Sequence, residues 1–217
     1  MDNPSKFFSS RHLSVESNSP FGDFIDNYEQ IEISLSGLRK NDDLFYATGL
    51  TFSKQSEEVP HQTQNRVLTA SNLSLEKARI DLSEKLLYLR DEFTMPDELL
   101  PRSGDIIISN ASGSLKHLGK VVWVDENLDS YVVGGFLGIF RFRDSTLAKA
   151  VFYRLLSKKF RAFVAGLKGQ NINNLDIDKI DDFGLTVPRP LDEFVKDALK
   201  REKELEKINK TLTQIKN

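Results

Sequence analysis

Cysteine is absent from this chain of 217 residues. Disulfide frameworks, thiolate nucleophiles and cysteine-based zinc sites are therefore excluded outright. No apolar run approaches the roughly 18 residues that a membrane-spanning helix needs. Met1-Asp-Asn-Pro-Ser-Lys has neither the basic start nor the apolar core of a signal peptide, so a soluble, cytoplasmic protein is expected. Net positive charge is lacking too: the formal charge of -2 argues against a non-specific, histone-like DNA coat. His12, His61 and His117 are far apart and lack metal-ligand spacing. No acidic residue is followed two positions later by lysine, which removes half of a common metal-dependent nuclease site. There is no Gly-x-x-x-x-Gly-Lys-Ser/Thr phosphate loop. Asn18-Ser-Pro-Phe superficially resembles the Asn-Pro-Pro-Phe loop of amino-methyltransferases, but its second residue differs and no Gly-rich cofactor loop accompanies it. Little remains to support catalysis.

What is present organises the chain into three parts. Residues 1–20 are rich in Ser and Asn and form an N-terminal arm of low order; 21–190 form one domain of ordinary size; 191–217 form a C-terminal helix. The domain reads as β-rich with short helices, so the fold class is α+β followed by a long coiled-coil helix. Gln30 to Leu35 alternates like a half-buried strand, Gly37 to Asp43 reads as a polar loop, and Phe45 to Phe52 and Arg66 to Ala70 are strand candidates around a polar loop at Ser53 to Asn65. Leu75 to Phe93 is split between a strand and a later helical turn. Phe183 to Val187 is a last strand, closed by Pro188 and Pro190.

The most specific stretch is Gly104-Asp-Ile-Ile-Ile-Ser-Asn-Ala-Ser-Gly-Ser. Gly104-Asp105 predicts a tight turn, Ile106 to Ile108 a buried strand, and Ser109 to Gly113 a loop whose backbone amides are open to a partner. Lys120 to Val124 follows as a second strand and Asp125-Glu126-Asn127 as a turn. Asp144-Ser-Thr offers a helix cap. Beyond it, Leu147, Val151, Phe152, Leu155, Phe160 and Phe163 form an apolar stripe, while Arg154, Lys158 and Arg161 predict a basic ridge on another face. Arg141, Arg143, Lys149, Arg154, Lys158, Lys159, Arg161 and Lys168 are opposed in this segment only by Asp144, a reasonable phosphate footprint.

After Pro190 the character changes. Leu191, Ala198, Leu205 and Leu212 recur every seven residues, and Phe194, Ile208 and Ile215 occupy the alternate seam with Arg201 as the one charged intruder. A seam this narrow in so polar a helix predicts one strand of a coiled coil, and these residues are the expected dimerisation contacts.

In this order, the pieces resemble the specificity subunit of type I restriction-modification systems, a resemblance covering roughly Gly37 to the C-terminus. It is carried by Gly104-Asp105-Ile106-Ile107-Ile108-Ser109, Ser112-Gly113-Ser114, Gly119-Lys120-Val121, the Phe152 to Ser157 stretch, Gly169-Gln170-Asn171-Ile172-Asn173-Asn174-Leu175 and Pro188-Arg189-Pro190-Leu191-Asp192-Glu193. Two features depart from the pattern: Phe194 stands where the family often has Gln, and the chain has one such domain and one helix where the usual subunit has two of each. The resemblance implies a non-catalytic, half-size subunit with a single target recognition domain that reads one half of an interrupted site on double-stranded DNA. It also implies a homodimer paired through the helices, and docked methyltransferase and restriction subunits. The chain itself would carry no cofactor; S-adenosylmethionine, ATP and magnesium would belong to the partners.

Phosphate positioning needs Lys or Arg, and base readout needs forked donors or amides on loops. The DNA-binding candidates are Lys116, His117 and Lys120 around the small-residue loop, Arg141 and Arg143, Lys168 and Gln170 on a Gly-flanked turn, and Arg39, Lys40 and Arg66 beside polar loops of the first half. The alternative is a structural protein that assembles through its C-terminal coiled coil with a non-DNA partner.

Overall fold

A computed structural model of the protein describes residues 24–55, 57–74, 77–111, 117–167 and 174–216. The arm at 1–20, the loop at 112–116, which includes Lys116, and the turn at 168–173, which includes Lys168 and Gln170, lie outside the described residues, as do the side chains of Leu212 and Ile215.

In chain order the strands are β1 (Glu29–Glu32), β2 (Leu44–Thr48), β3 (Glu58–Val59), β4 (Arg66–Leu68), β5 (Leu73–Ser74), β6 (Arg79–Ile80), β7 (Leu87–Leu89), β8 (Ile106–Ser109), β9 (Val121–Trp123), β10 (Tyr131–Val133), β11 (Leu137–Phe142) and β12 (Thr186–Arg189). The α-helices are α1 (Leu35–Lys40), α2 (Ser145–Leu155), α3 (Lys158–Gly166), α4 (Ile177–Asp181) and α5 (Leu191–Lys216). A six-stranded sheet runs in the order β2-β11-β8-β9-β6-β5, a four-stranded sheet in the order β10-β4-β7-β3, and β1 pairs with β12 in a separate antiparallel ribbon.

The layering follows from the Ile106-Ile107-Ile108 run. Successive strand residues face opposite sides, and all three isoleucines are completely buried. Ile106 and Ile108 join the core beneath α2, α3, α5 and the ribbon, with Val121 and Phe140. Ile107 joins a second core, with Val122 and Ile139, which the four-stranded sheet covers. A continuous apolar run is what a strand buried on both faces requires.

Several boundaries differ from the sequence expectation. Leu35 to Lys40 is a helix rather than strand and loop: the Ser34 hydroxyl caps it by accepting from Gly37 N. Its first amides find a further partner in Asp181, which accepts from Leu35 N at 2.6 Å and Ser36 N at 2.9 Å. The helical turn expected before Phe93 is strand β7, an interior strand of the smaller sheet. The loop at Ser53 to Asn65 contributes the short strand β3. The apolar stripe after Asp144 is broken into two helices, because Ser157 turns extended and its hydroxyl accepts from Phe160 N to start α3 afresh.

Candidate nucleic-acid interface

Gly104 and Asp105 build the frame rather than the surface. Gly104 has φ +93°, a conformation L side chains avoid. The buried Asp105 carboxylate accepts from Arg102 N at 2.7 Å and takes both arms of Arg141, from Nε and Nη2 at 2.9 Å each. Arg141 also donates to the Leu100 carbonyl at 2.9 Å and lies over Phe45. Its guanidinium, 21% exposed, is thus engaged by its own domain rather than standing free at the surface. Lys120 is buried, and its ammonium donates to the carbonyls of Leu73 at 3.3 Å and Ala70 at 3.4 Å, tying the start of β9 to β5 and the turn before it.

The next motif residue, Asn110, is a junction. It is buried beneath Gly138, where a Cβ would lie 2.4 Å from its amide nitrogen. With its amide donating to the Leu175 carbonyl at 3.0 Å, its oxygen accepts from Gly138 N at 3.2 Å and from the Tyr46 hydroxyl at 3.0 Å. Leu175 N in turn donates to the Asn110 carbonyl at 2.6 Å. The chain just before residues 112–116 and just after residues 168–173 is thereby drawn to one place, since Ala111 follows Asn110 and Asn174 precedes Leu175. The amides of Asn110 and Ala111 are not open to a partner as expected; both donate to the Phe136 carbonyl, at 3.0 and 3.1 Å.

The remaining candidates divide between two regions. Arg39 and Lys40 end α1 and are exposed, and exposed Arg143 donates its backbone amide to the Asp43 carbonyl at 2.9 Å, so these three cations share the end of the main sheet where β2 begins and β11 finishes. Arg39 lies within 5.8 Å of the Tyr46 ring. Arg66 belongs to the smaller sheet, its guanidinium 5.1 Å over Tyr131. His117 is half-buried and its carbonyl accepts from Lys120 N.

Of the expected basic ridge on α2 and α3, Lys158 is exposed, while Arg154 and Arg161 are engaged within the domain. Arg154 is only 2% exposed: Nε donates to the Thr186 carbonyl, Nη1 pairs with Asp26 at 3.0 Å and Nη2 donates to Gln30. Arg161 donates to the Leu118 carbonyl at 2.7 Å. These cations fasten the ribbon and the β8-β9 connection to the helices. Helical spacing revealed that the side chains share a face, but not that Arg154 on it is buried.

Helix α5 likewise docks on its own domain. Phe194 is completely buried among the rings of Phe24, Tyr28 and Tyr153, with centroids 5.3 to 5.8 Å away, and Ala198 is buried beside it. Leu191, Val195 and Leu205 pack on the same core, the Arg201 guanidinium lies 4.0 Å over Phe24, and Tyr28 donates to Asp197 at 2.8 Å. Phe194 and Ala198 thus pack into their own domain, with the Phe194 ring filling its core. One turn on, Glu202 pairs with Arg79 at 3.7 Å and Lys149 at 3.9 Å. The Lys149 ammonium sits 4.1 Å from the centre of the Trp123 ring. Burial pulls its pKa down to about 8, against the opposing pull of Glu202. Past Leu205 the helix leaves the domain, and Ile208 is 44% exposed.

No family model and no curated protein matches the sequence. Solved structures do. A chain from a structure describing complex assembly and conformational transition of the type I restriction-modification system aligns with 90% of this chain and 45% of its own length, at 11% identity and TM-score 0.56. A type I specificity subunit from M. genitalium aligns over 89% of this chain and 45% of its own, at 11% identity and TM-score 0.46. The chain thus spans about half the length of the solved chains it matches. Its fold is that of a chain from a type I restriction-modification system, in keeping with the family that the motif order resembles.

Proposed function

We propose that this chain is a DNA-recognition module of a type I restriction-modification assembly, non-catalytic in itself, that reads one half of an interrupted duplex site. The observation that carries the reading is the coincidence of fold and motif order. The Gly104 to Ser109 and Gly119 to Val121 motifs form adjacent central strands of a sheet sandwich matched over nine-tenths of the chain, and the Pro188 to Glu193 motif opens the long helix. The exposed cations Arg39, Lys40 and Arg143 supply phosphate positioning at one end of the sheet. The free part of α5 beyond Leu205 supplies the pairing element, with Ile208, Leu212 and Ile215 as its apolar contacts and a second copy of the chain as its partner. Methyltransferase and restriction subunits would dock on this frame and bring S-adenosylmethionine, ATP and magnesium with them.

Selection of a randomised duplex pool by the purified chain, followed by sequencing, tests the reading. Enrichment of one motif, or of two inverted copies at fixed spacing, is the expected result. A pool that stays random at both low and moderate salt would refute it and leave a protein-only interaction module.

A further inference from the structure

Beside the smaller sheet lies a polar cleft of about 580 Å³ lined by Gln62, Thr63, Gln64, Asn65, Arg66 and Asp91. Alternate residues of this segment pin its backbone. Thr63 is buried, and its hydroxyl donates to the Leu89 carbonyl at 2.6 Å. Asn65 Nδ2 donates to the carbonyls of Arg90 and Phe93 at 2.9 Å each and of Asp91 at 3.3 Å, while its own carbonyl accepts from Leu89 N. Gln64 N donates to Asp91 at 3.4 Å. The residues between the anchors, Gln62 and Gln64, are exposed, and their side-chain amides make no hydrogen bond among the described residues. Rigid backbone beneath free amide forks is the arrangement that binds a planar polar edge without a large ordering cost.

The charges decide which edge. The cleft holds one guanidinium and one carboxylate, so it offers a phosphate no net attraction. Amide forks match the N6 donor and N7 acceptor of adenine, a guanidinium matches the O6 and N7 acceptors of guanine, and a carboxylate accepts from an exocyclic amine. We propose that Gln62 and Gln64 are sequence-reading side chains that hydrogen-bond adenine edges in the major groove, with Arg66, held over Tyr131, taking a neighbouring guanine. The inference rests on the DNA-reading role proposed above and assigns that role to particular residues.

The test compares the full chain with its Gln62→Ala/Gln64→Ala and Gln64→Glu variants by selection from a randomised duplex pool. The parent should enrich a motif containing adenines. The double variant should lose discrimination at those positions by about 10- to 100-fold, with the rest of the motif and the thermal unfolding transition unchanged. Gln64→Glu, which can only accept, should move one adenine preference to cytosine. A parent motif retained by both variants would overturn the inference while leaving the DNA-reading role intact. Uniform weakening with the same motif would overturn it equally, because that is the signature of phosphate contact. A parent that selects no motif would remove both proposals together.

Discussion

Replacing Phe194 with Ala separates a helix that belongs to the domain from one that waits for a partner. The ring is fully buried and touches three other rings, Phe24, Tyr28 and Tyr153. Phe→Ala truncation in a core typically costs about 3–5 kcal/mol, combining lost transfer energy with the cavity left behind. Loss of the edge-on contacts from Tyr28 and Tyr153 favours the upper half of that range. Against a typical total of roughly 5–15 kcal/mol, that is a large fraction of the whole. Urea unfolding can be followed through Trp123, whose ring packs against Phe152 at a tilt next to the same core. The expected result is a shift of the midpoint equivalent to about 4 kcal/mol, with the same difference between variant and parent at every protein concentration. A loss below about 1 kcal/mol, or a difference that shrinks as concentration rises, would refute intramolecular docking and return Phe194 to an intermolecular seam.

Truncation after Lys207 should leave thermal unfolding nearly unchanged and abolish any dimer detected by light scattering; truncation after Pro190 should instead unfold the domain, since it removes Phe194 and Ala198 from the core. Asp105→Ala should cost about 1–3 kcal/mol in chemical denaturation, because it leaves Arg102 N and the half-buried Arg141 guanidinium without their carboxylate. Arg143→Ala should leave stability unchanged, weaken DNA binding and lower the salt slope by about 1; equal affinity at two salt concentrations would remove Arg143 from the interface. The folded protein holds Lys149 at about 8 against 10.5 when unfolded. Below pH 8 both states carry the proton and the folded state bears the full burial cost; between pH 8 and 10.5 only the folded state sheds it. Stability should therefore rise with pH from about 8 towards 10, by up to roughly 3 kcal/mol. Above pH 10 it should fall, as burial and the Asp197 carboxylate hold Tyr28 at about 12 while the unfolded tyrosine ionises. In Lys149→Met the rise should vanish, as urea midpoints across that range would show.

Local pattern was enough to read the strand of Ile106 to Ile108, the turn at Gly104, the cap at Asp144 and the helix after Pro190, because each depends on side-chain periodicity and turn chemistry within a few residues. The motif order also pointed to the specificity-subunit fold. Strand β11 escaped notice although Leu137-Gly-Ile-Phe-Arg-Phe is a plain strand, since its role as an interior strand of the sheet comes only from pairing with β2 and β8, far away in the chain. The amides of Gln62 and Gln64 were equally inconspicuous: their alternation with anchored Thr63 and Asn65 exists only once Leu89 to Phe93 passes beneath them.

Charge was where sequence and tertiary structure diverged most. Arg141, Arg154, Lys120 and Lys149 stand in the chain as members of one basic segment or its flank, indistinguishable from Arg143 or Lys40. Spacing along a helix or strand determines which side chains share a face, and the sequence alone decides that much. Whether that face meets water, a carboxylate or a row of backbone carbonyls depends on elements dozens of residues away. Desolvation makes an unpaired buried cation so costly that those distant partners, Asp105, Asp26, Glu202 and the carbonyls beside β5, must arrive with it.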